Sequence, residues 1–325
     1  MNLNRFVDRG LLVSLVLVAA ALPISIAASQ LALGLVVLFW LAKLIGGYRS
    51  RMLLTPLSLG LVAWVAATLI AALFGDNPRV SLIAMREEWL FLAFFALWGG
   101  IVRKHYLRPI LIALGTTLLL AGSYSIWQHF TGLDLVHQVL LDPMPSGYRA
   151  HATLTHSLTA GAVLSILGLL LLFLYFTSQT ATRWLGLLVA ISGLLGALLT
   201  YSRSVLLAVA VALLALFLLL WRSYGWRVLL PGLLLVAALL AIAPDLTFRF
   251  SQPSVVTTSR GRKLEAAPER LEIWQTAWNV FLARPLTGVG EDNLLGRYEQ
   301  YAPPGSQRVF ATAHNDLLHV AATRG

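Results

Sequence analysis

The feature that most constrains this chain is a series of long apolar runs whose interiors hold no Asp, Glu, Lys, Arg or His. Without water, every backbone N–H and C=O must find its partner inside the segment, and a helix does this within one run of chain. Runs near the length that crosses a bilayer fall at 11–28, 31–46, 57–74, 89–102, 109–127, 158–176, 184–200, 204–221 and 226–244. The sequence therefore predicts an all-α, polytopic transmembrane helix bundle with about nine spans. Composition agrees: 58% of residues are hydrophobic and 12% charged, against about 25% charged in a soluble domain. An ordinary soluble enzyme and a disordered chain are both excluded. There is no Cys, which removes disulfides, thiolate metal sites and cysteine nucleophiles and suits an oxidising compartment.

The formal net charge is +10, so the location of the cations decides what it means. With the N-terminus inside, Arg5, Arg9, Lys43, Arg49, Arg51, Arg103, Lys104, Arg108, Arg183, Arg222 and Arg227 all fall on the cytoplasmic side. The opposite short loops hold only Arg79, Arg86, Arg149 and Arg203. This is the bias that orients membrane proteins. Scattered over several loops, the cations make no nucleic-acid surface. The first run is long and a second follows at once, so it reads as a retained anchor and not as a cleaved signal. Pro23 and Pro231 are the only prolines well inside a span, and ion-coupled carriers normally show ionisable residues or broken helices near the midplane. Any chemistry is expected at the outer boundary, in 128–157, at the turn 201–204 and from 245 onward.

In the last of these, Pro268 opens a helical pattern with Glu269 and Glu272 in its first turns and Leu271, Trp274, Trp278 and Phe281 at three and four residue steps. This predicts an amphipathic helix of about 15 residues, stopped by Pro285 and able to lie on the membrane interface. RPLTGVGEDN follows, whose Gly288 and Gly290 permit a tight turn. A second helix is expected near Ala313, with His314 in its first turn.

Three stretches in this order, GALLTYSRSVLLAVAV, RLEIWQTAWNVFLARPLTGVGEDN and AHNDLLHVAATRG, resemble the O-antigen ligase and O-antigen polymerase superfamily of bacterial membrane glycosyltransferases, the ligase most. The resemblance runs from about Arg149 to Gly325. It implies a bundle over 1–244 and a periplasmic segment over 245–325 that carries the amphipathic helix and a catalytic His and leads into further spans beyond TRG. It also implies a multi-pass protein of the bacterial inner membrane that moves a glycan from an undecaprenyl pyrophosphate carrier to a lipid A core hydroxyl. The active site would face the periplasm, and no cofactor or metal is expected. The spacing of acids and histidines in the outer loops shows no metal pattern of its own.

The residues themselves suit that chemistry. Cleaving a sugar to pyrophosphate bond builds negative charge, and Arg offers a planar fork for phosphate that cannot lose its charge. Arg203, in the turn between two spans, and Arg270, at the start of the amphipathic helix, are the expected pyrophosphate ligands. Each also has a plainer reading, as a helix-end cap or a solvated charge. His314 is the expected general base, since imidazole titrates near neutral pH. Asn315 and Asp316 are expected to support it or only to favour the helix start. His319 lies on another helix face and reads as structural. Arg149, His151 and His156, in RAHATLTHSLTAG, would line a donor or acceptor path or finish a loop; the superfamily more usually has a Pro-Asn pair where His-Ser-Leu stands here. Rival readings are a polymerase, a protein O-oligosaccharyltransferase with the same donor, and a multispan lipid or solute carrier.

Overall fold

The computed structural model describes residues 3–47, 56–100, 106–178, 183–225, 255–257, 263–304, 306 and 309–325. The chain forms two compact units, each discontinuous in sequence: 1–48 with 96–251, and 49–95 with 252–325.

In the first unit α1 (Leu3–Ala21) ends just before Pro23, which cannot continue a helix, and Ser25 caps the start of α2 (Ile26–Ile45) by accepting from Ala28 N–H at 3.3 Å. The two helices form a hairpin closed at its far end by Lys43 and Asp8, 2.8 Å apart. The core is built by α6 (Leu107–Thr131), α7 (Ser157–Thr177), α8 (Arg183–Leu198) and α9 (Arg203–Tyr224). Leu118, Leu164, Leu172, Ala160, Ala190 and Ala197 are fully buried among them. The close approach of α6 and α8 needs small residues: a Cβ on Gly122 would lie 2.5 Å from the Ser192 carbonyl oxygen, and one on Gly196, a turn further along α8, would lie 3.1 Å from Gly122 Cα. This is the packing of helices in lipid, where close backbone contact replaces the hydrophobic drive.

The outward faces carry the same message. On α9, Leu207, Val211, Leu214, Leu218 and Leu219 are each more than half exposed, an apolar surface that water would not tolerate as one face. Among the described residues five helices are long and apolar enough to span: α2, α3 (Pro56–Phe74), α6, α7 and α9. They coincide with five of the nine expected runs. The run expected at 11–28 is instead α1, displaced toward the charged N-terminus because Pro23 cuts the apolar stretch in two. The run at 89–102 is a helix of only 12 residues, α5 (Trp89–Gly100), and α8 is a shorter apolar helix. The run expected at 226–244 lies outside the described residues.

In the second unit α3, α4 (Pro78–Ala84), a 3-10 turn at Met85–Glu88, α10 (Ala266–Ala283), α11 (Leu294–Tyr301) and α12 (Asp316–Arg324) pack together. The core is Ile273, Ala277, Val280, Val289, Leu294, Tyr298, Ala313 and Ala322. The stripe that α10 buries is Ile273, Thr276, Ala277 and Val280, while Leu271 and Trp278 are exposed. The amphipathic helix is therefore real, but its buried face is turned from the one the aromatic residues outline, with only Trp274 among them packed at the edge of this core.

Candidate functional site

Between α6 and α7 the first unit makes two short hairpins, β1/β2 (Leu133–Asp134 with Val139–Leu140) and β3/β4 (Pro143–Met144 with Gly147–Tyr148). Buried polar groups on the last turn of α6 hold them in place. Gln128 donates to Ala152 O (2.8 Å) and accepts from His151 N–H (3.1 Å), and His129 Nδ1 lies 3.0 Å from Tyr148 O. The loop is then tied to the turn between α8 and α9: Arg149 Nε donates to Thr200 O at 2.9 Å and Ala150 N–H to Leu199 O at 3.0 Å. In that turn Tyr201 is fully buried and left-handed, φ 48°. Such strain in a residue with a side chain survives only where packing enforces it. Its consequence is a sharp reversal that sets Ser202 as the N-cap of α9 and Arg203, exposed, as the first helical residue.

A cavity of about 560 Å³ opens beside this loop, lined by Leu141, Arg149, His151, Thr155, His156 and Ser157 among others. It lies at the N-terminus of α7, where His156 is the N-cap and unpaired backbone N–H groups favour an anion. Arg149 and His156 thus share one cavity, and Arg149 bonds to the turn that carries Arg203.

Behind the cavity wall Asp134, His137 and His151 come together, with one ligand-type atom from each within 4.8 Å of the others. The sequence spacing gave no sign of this, since His151 is brought in by the hairpins from 17 residues beyond Asp134. Burial pushes the Asp134 carboxyl up, but hydrogen bonds from His137, Tyr124 and the backbone of Val136 and His137 outweigh it and hold it below the ordinary value.

In the second unit Arg270 is exposed on the second turn of α10. His314 is exposed and left-handed, φ 49°, with its ring edge-on to Phe310 at 6.4 Å. It precedes α12 and is not in its first turn as expected: Asn315 takes the N-cap, its Oδ1 accepting from Leu317 and Leu318 N–H. Asp316 is the first helical residue, exposed, where a carboxylate favours the helix dipole. Arg203 belongs to the first unit, and Arg270 and His314 to the second.

The GVGEDN loop proves to be a lock, a role its sequence alone does not reveal. Val289 and Gly290 N–H donate to Ala322 O and Thr323 O, both at 3.0 Å, and Asp76 N–H to Val289 O at 2.9 Å. Gly288 and Gly290 have φ of 57° and 88°, and a Cβ on either would strike neighbouring atoms. Asn293 Nδ2 donates to Ser81 Oγ and to Val289 O, each at 2.9 Å. Asp76 binds Arg284 at 2.6 Å and Arg297 at 2.9 Å. The Glu291 carboxylate receives Arg324 Nε at 2.9 Å and His319 Nε2 at 3.5 Å, and Arg324 also reaches Glu88 at 3.3 Å and covers the Trp64 ring. The hydrogen bond from His319, opposed by burial and aided by Arg324, lowers the Glu291 pKa to about 2. His319 is half-buried in this network.

Helices long and apolar enough to span, with apolar outward faces, mark a multipass membrane protein of mostly helical fold. A family model described as O-antigen ligase matches residues 188–325, and this supports membership of the O-antigen ligase and polymerase superfamily, a glycosyltransferase-like enzyme family. The search of curated proteins found no match, nor did that of solved structures.

Proposed function

We propose that this protein is an O-antigen ligase: it transfers a glycan from undecaprenyl pyrophosphate to a sugar hydroxyl of the lipid A core at the periplasmic face of the bacterial inner membrane. The observation that carries the reading is that Arg203, Arg270 and His314 all lie within the stretch matched by the O-antigen ligase family, residues 188–325. Each of the three motifs also contains a left-handed non-glycine residue, Tyr201, Asp292 and His314, as functional backbone often does.

In the proposed reaction His314 accepts the proton of the acceptor hydroxyl as its oxygen bonds to the anomeric carbon of the donor. The bond from that carbon to the phosphate oxygen breaks, and its electron pair leaves with undecaprenyl pyrophosphate. Arg203 and Arg270 stabilise the charge that builds on the diphosphate, an electrostatic role that is commonly the largest part of such catalysis. No metal ion takes part in the step. Arg149 and His156, lining the cavity at the N-terminus of α7, hold the donor or acceptor, while Asn315 and Asp316 position His314 by fixing the start of α12.

The test is transfer from lipid-linked glycan to lipid A core in membranes carrying the wild type, Arg203→Ala, Arg270→Ala and His314→Ala, with each protein's insertion verified. Loss of capped lipid A by about 100-fold or more, the scale of a missing general base, is expected for His314→Ala. Unaltered transfer would remove the base assignment. Longer lipid-linked chains without capped lipid A would replace ligase by polymerase, and glycan on Ser or Thr of a protein acceptor would replace it by an O-oligosaccharyltransferase. Lipid movement without any new glycosidic bond would favour a carrier.

A further inference from the structure

The proposed transfer assigns no chemical step to the residues of the grouping behind the cavity wall, although His151 also lines the cavity. The Asp134 side chain is completely buried, and its two oxygens face different surroundings. Oδ1 accepts the Tyr124 O–H and the Val136 N–H, each at 2.9 Å. Tyr124 is itself oriented by Leu135 N–H, 2.8 Å from its oxygen. Oδ2 is left for two imidazoles, His137 Nδ1 at 2.5 Å and His151 Nε2 at 3.4 Å, whose rings are 5.6 Å apart.

We propose that Asp134, His137 and His151 form a binding site for a divalent transition-metal ion of the zinc class, which fastens the loop between α6 and α7 and with it the wall of the cavity. Two nitrogens and one carboxylate oxygen are the donor set of zinc and its neighbours, whereas calcium and magnesium are held by oxygen alone. A four-coordinate ion with bonds of about 2.0–2.1 Å places its ligand atoms roughly 3.3 Å apart, and Asp134 Oδ2 to His151 Nε2, at 3.4 Å, already has that edge. His137 must retreat by somewhat less than about 1 Å to meet the same geometry, and it is the more exposed imidazole, 29% against 14%. The supporting shell is in place, because the bonds from Tyr124 and Val136 fix the carboxylate with Oδ2 toward the centre. A cation also compensates a carboxylate shut off from water better than a neutral imidazole does. Only His151 of the three lines the cavity, so the ion sits behind the wall, with its fourth position left to water.

This site lies outside residues 188–325 and stands apart from the reading of the transfer chemistry. The test uses the full chain, purified in detergent without a polyhistidine tag, stripped with a chelator and titrated with Co²⁺. Visible absorption bands of four- or five-coordinate cobalt should grow to one equivalent and disappear on adding Zn²⁺. Tyr124→Phe should weaken Co²⁺ by about 10-fold or more, the usual effect of removing a supporting bond, and His137→Ala with His151→Ala should abolish the bands. A stripped wild-type chain that shows no such absorption overturns the proposal whatever the variants do, as does full binding by the double variant.

Discussion

Glu291 is the ionisable group whose environment the fold alters most clearly, and its removal gives a figure that can be checked. Its pKa falls from 4.5 to about 2, and each pKa unit is worth about 1.4 kcal/mol, so the ceiling on its electrostatic stabilisation of the second unit is ~3 kcal/mol. The side chain keeps 19% of its exposure, and solvent at that edge screens part of the attraction, which leaves a working figure of 1–2 kcal/mol, roughly. The sign follows from a carboxylate whose folded pKa is depressed. The contribution is complete above about pH 4.5 and is lost as pH falls toward about 2. Glu291→Gln keeps the shape but removes the charge, leaving Arg324 with Glu88 and the Trp64 face. In thermal unfolding followed by tryptophan fluorescence in detergent, the variant should be less stable than the wild type by that amount at pH 7. By about pH 3 the gap should narrow to less than half, because much of the linkage is already spent. A gap at pH 7 within error of zero, or one equally wide at about pH 3, would refute the argument.

Three other perturbations follow from the geometry. Gly290→Ala sets a Cβ 2.5 Å from Ser81 Oγ at a φ of 88°, and should cost about 1–3 kcal/mol, read as faster amide exchange in residues 286–293. Asn315→Ala removes the cap of α12 and should cost about 1 kcal/mol, with a loss of transfer that Asn315→Asp or Asn315→Ser rescues. Arg203→Lys keeps the charge and loses the fork, so transfer should fall by about 10-fold or more with insertion unchanged, and a variant equal to the wild type would reduce Arg203 to a helix-end cap.

The fold was most legible where one local rule acts alone. Spans such as α7 and α9 follow from uninterrupted apolar length, and Pro23 shows what that reading misses: one residue divides a stretch that hydropathy joins. The buried face of α10 was harder. Trp274, Trp278 and Phe281 dominate any apolar pattern, yet the face buried against α11 and α12 is Ile273, Thr276, Ala277 and Val280, with Trp274 only at its edge. Which face is buried depends on what packs against the helix, and such information is spread over 40 residues of later sequence.

The candidate site divides along the same line. Arg203, Arg270 and His314 are singled out by motif alone; in the structure the buried, left-handed Tyr201 precedes Arg203 and the left-handed His314 precedes the helix that Asn315 caps. What the sequence hid are groups assembled over long separations, Glu291 with Glu88 and Arg324, and Asp134 with His151. In each, a carboxylate is fixed by partners from another element. A shielded acid with several such partners, fully buried at Asp134 and partly at Glu291, holds its loop in one conformation, since releasing a partner leaves charge less well compensated. In the proposed reaction the two knots would act as clamps on the segments that carry Arg149, His156 and His314. Loosening either clamp should impair transfer without touching a reacting atom. Glu291→Gln is then expected to lower transfer most where the lock is weakest, at higher temperature, whereas His314→Ala should lower it equally at all temperatures. Parallel temperature profiles for the two variants would show that Glu291 has no such supporting part.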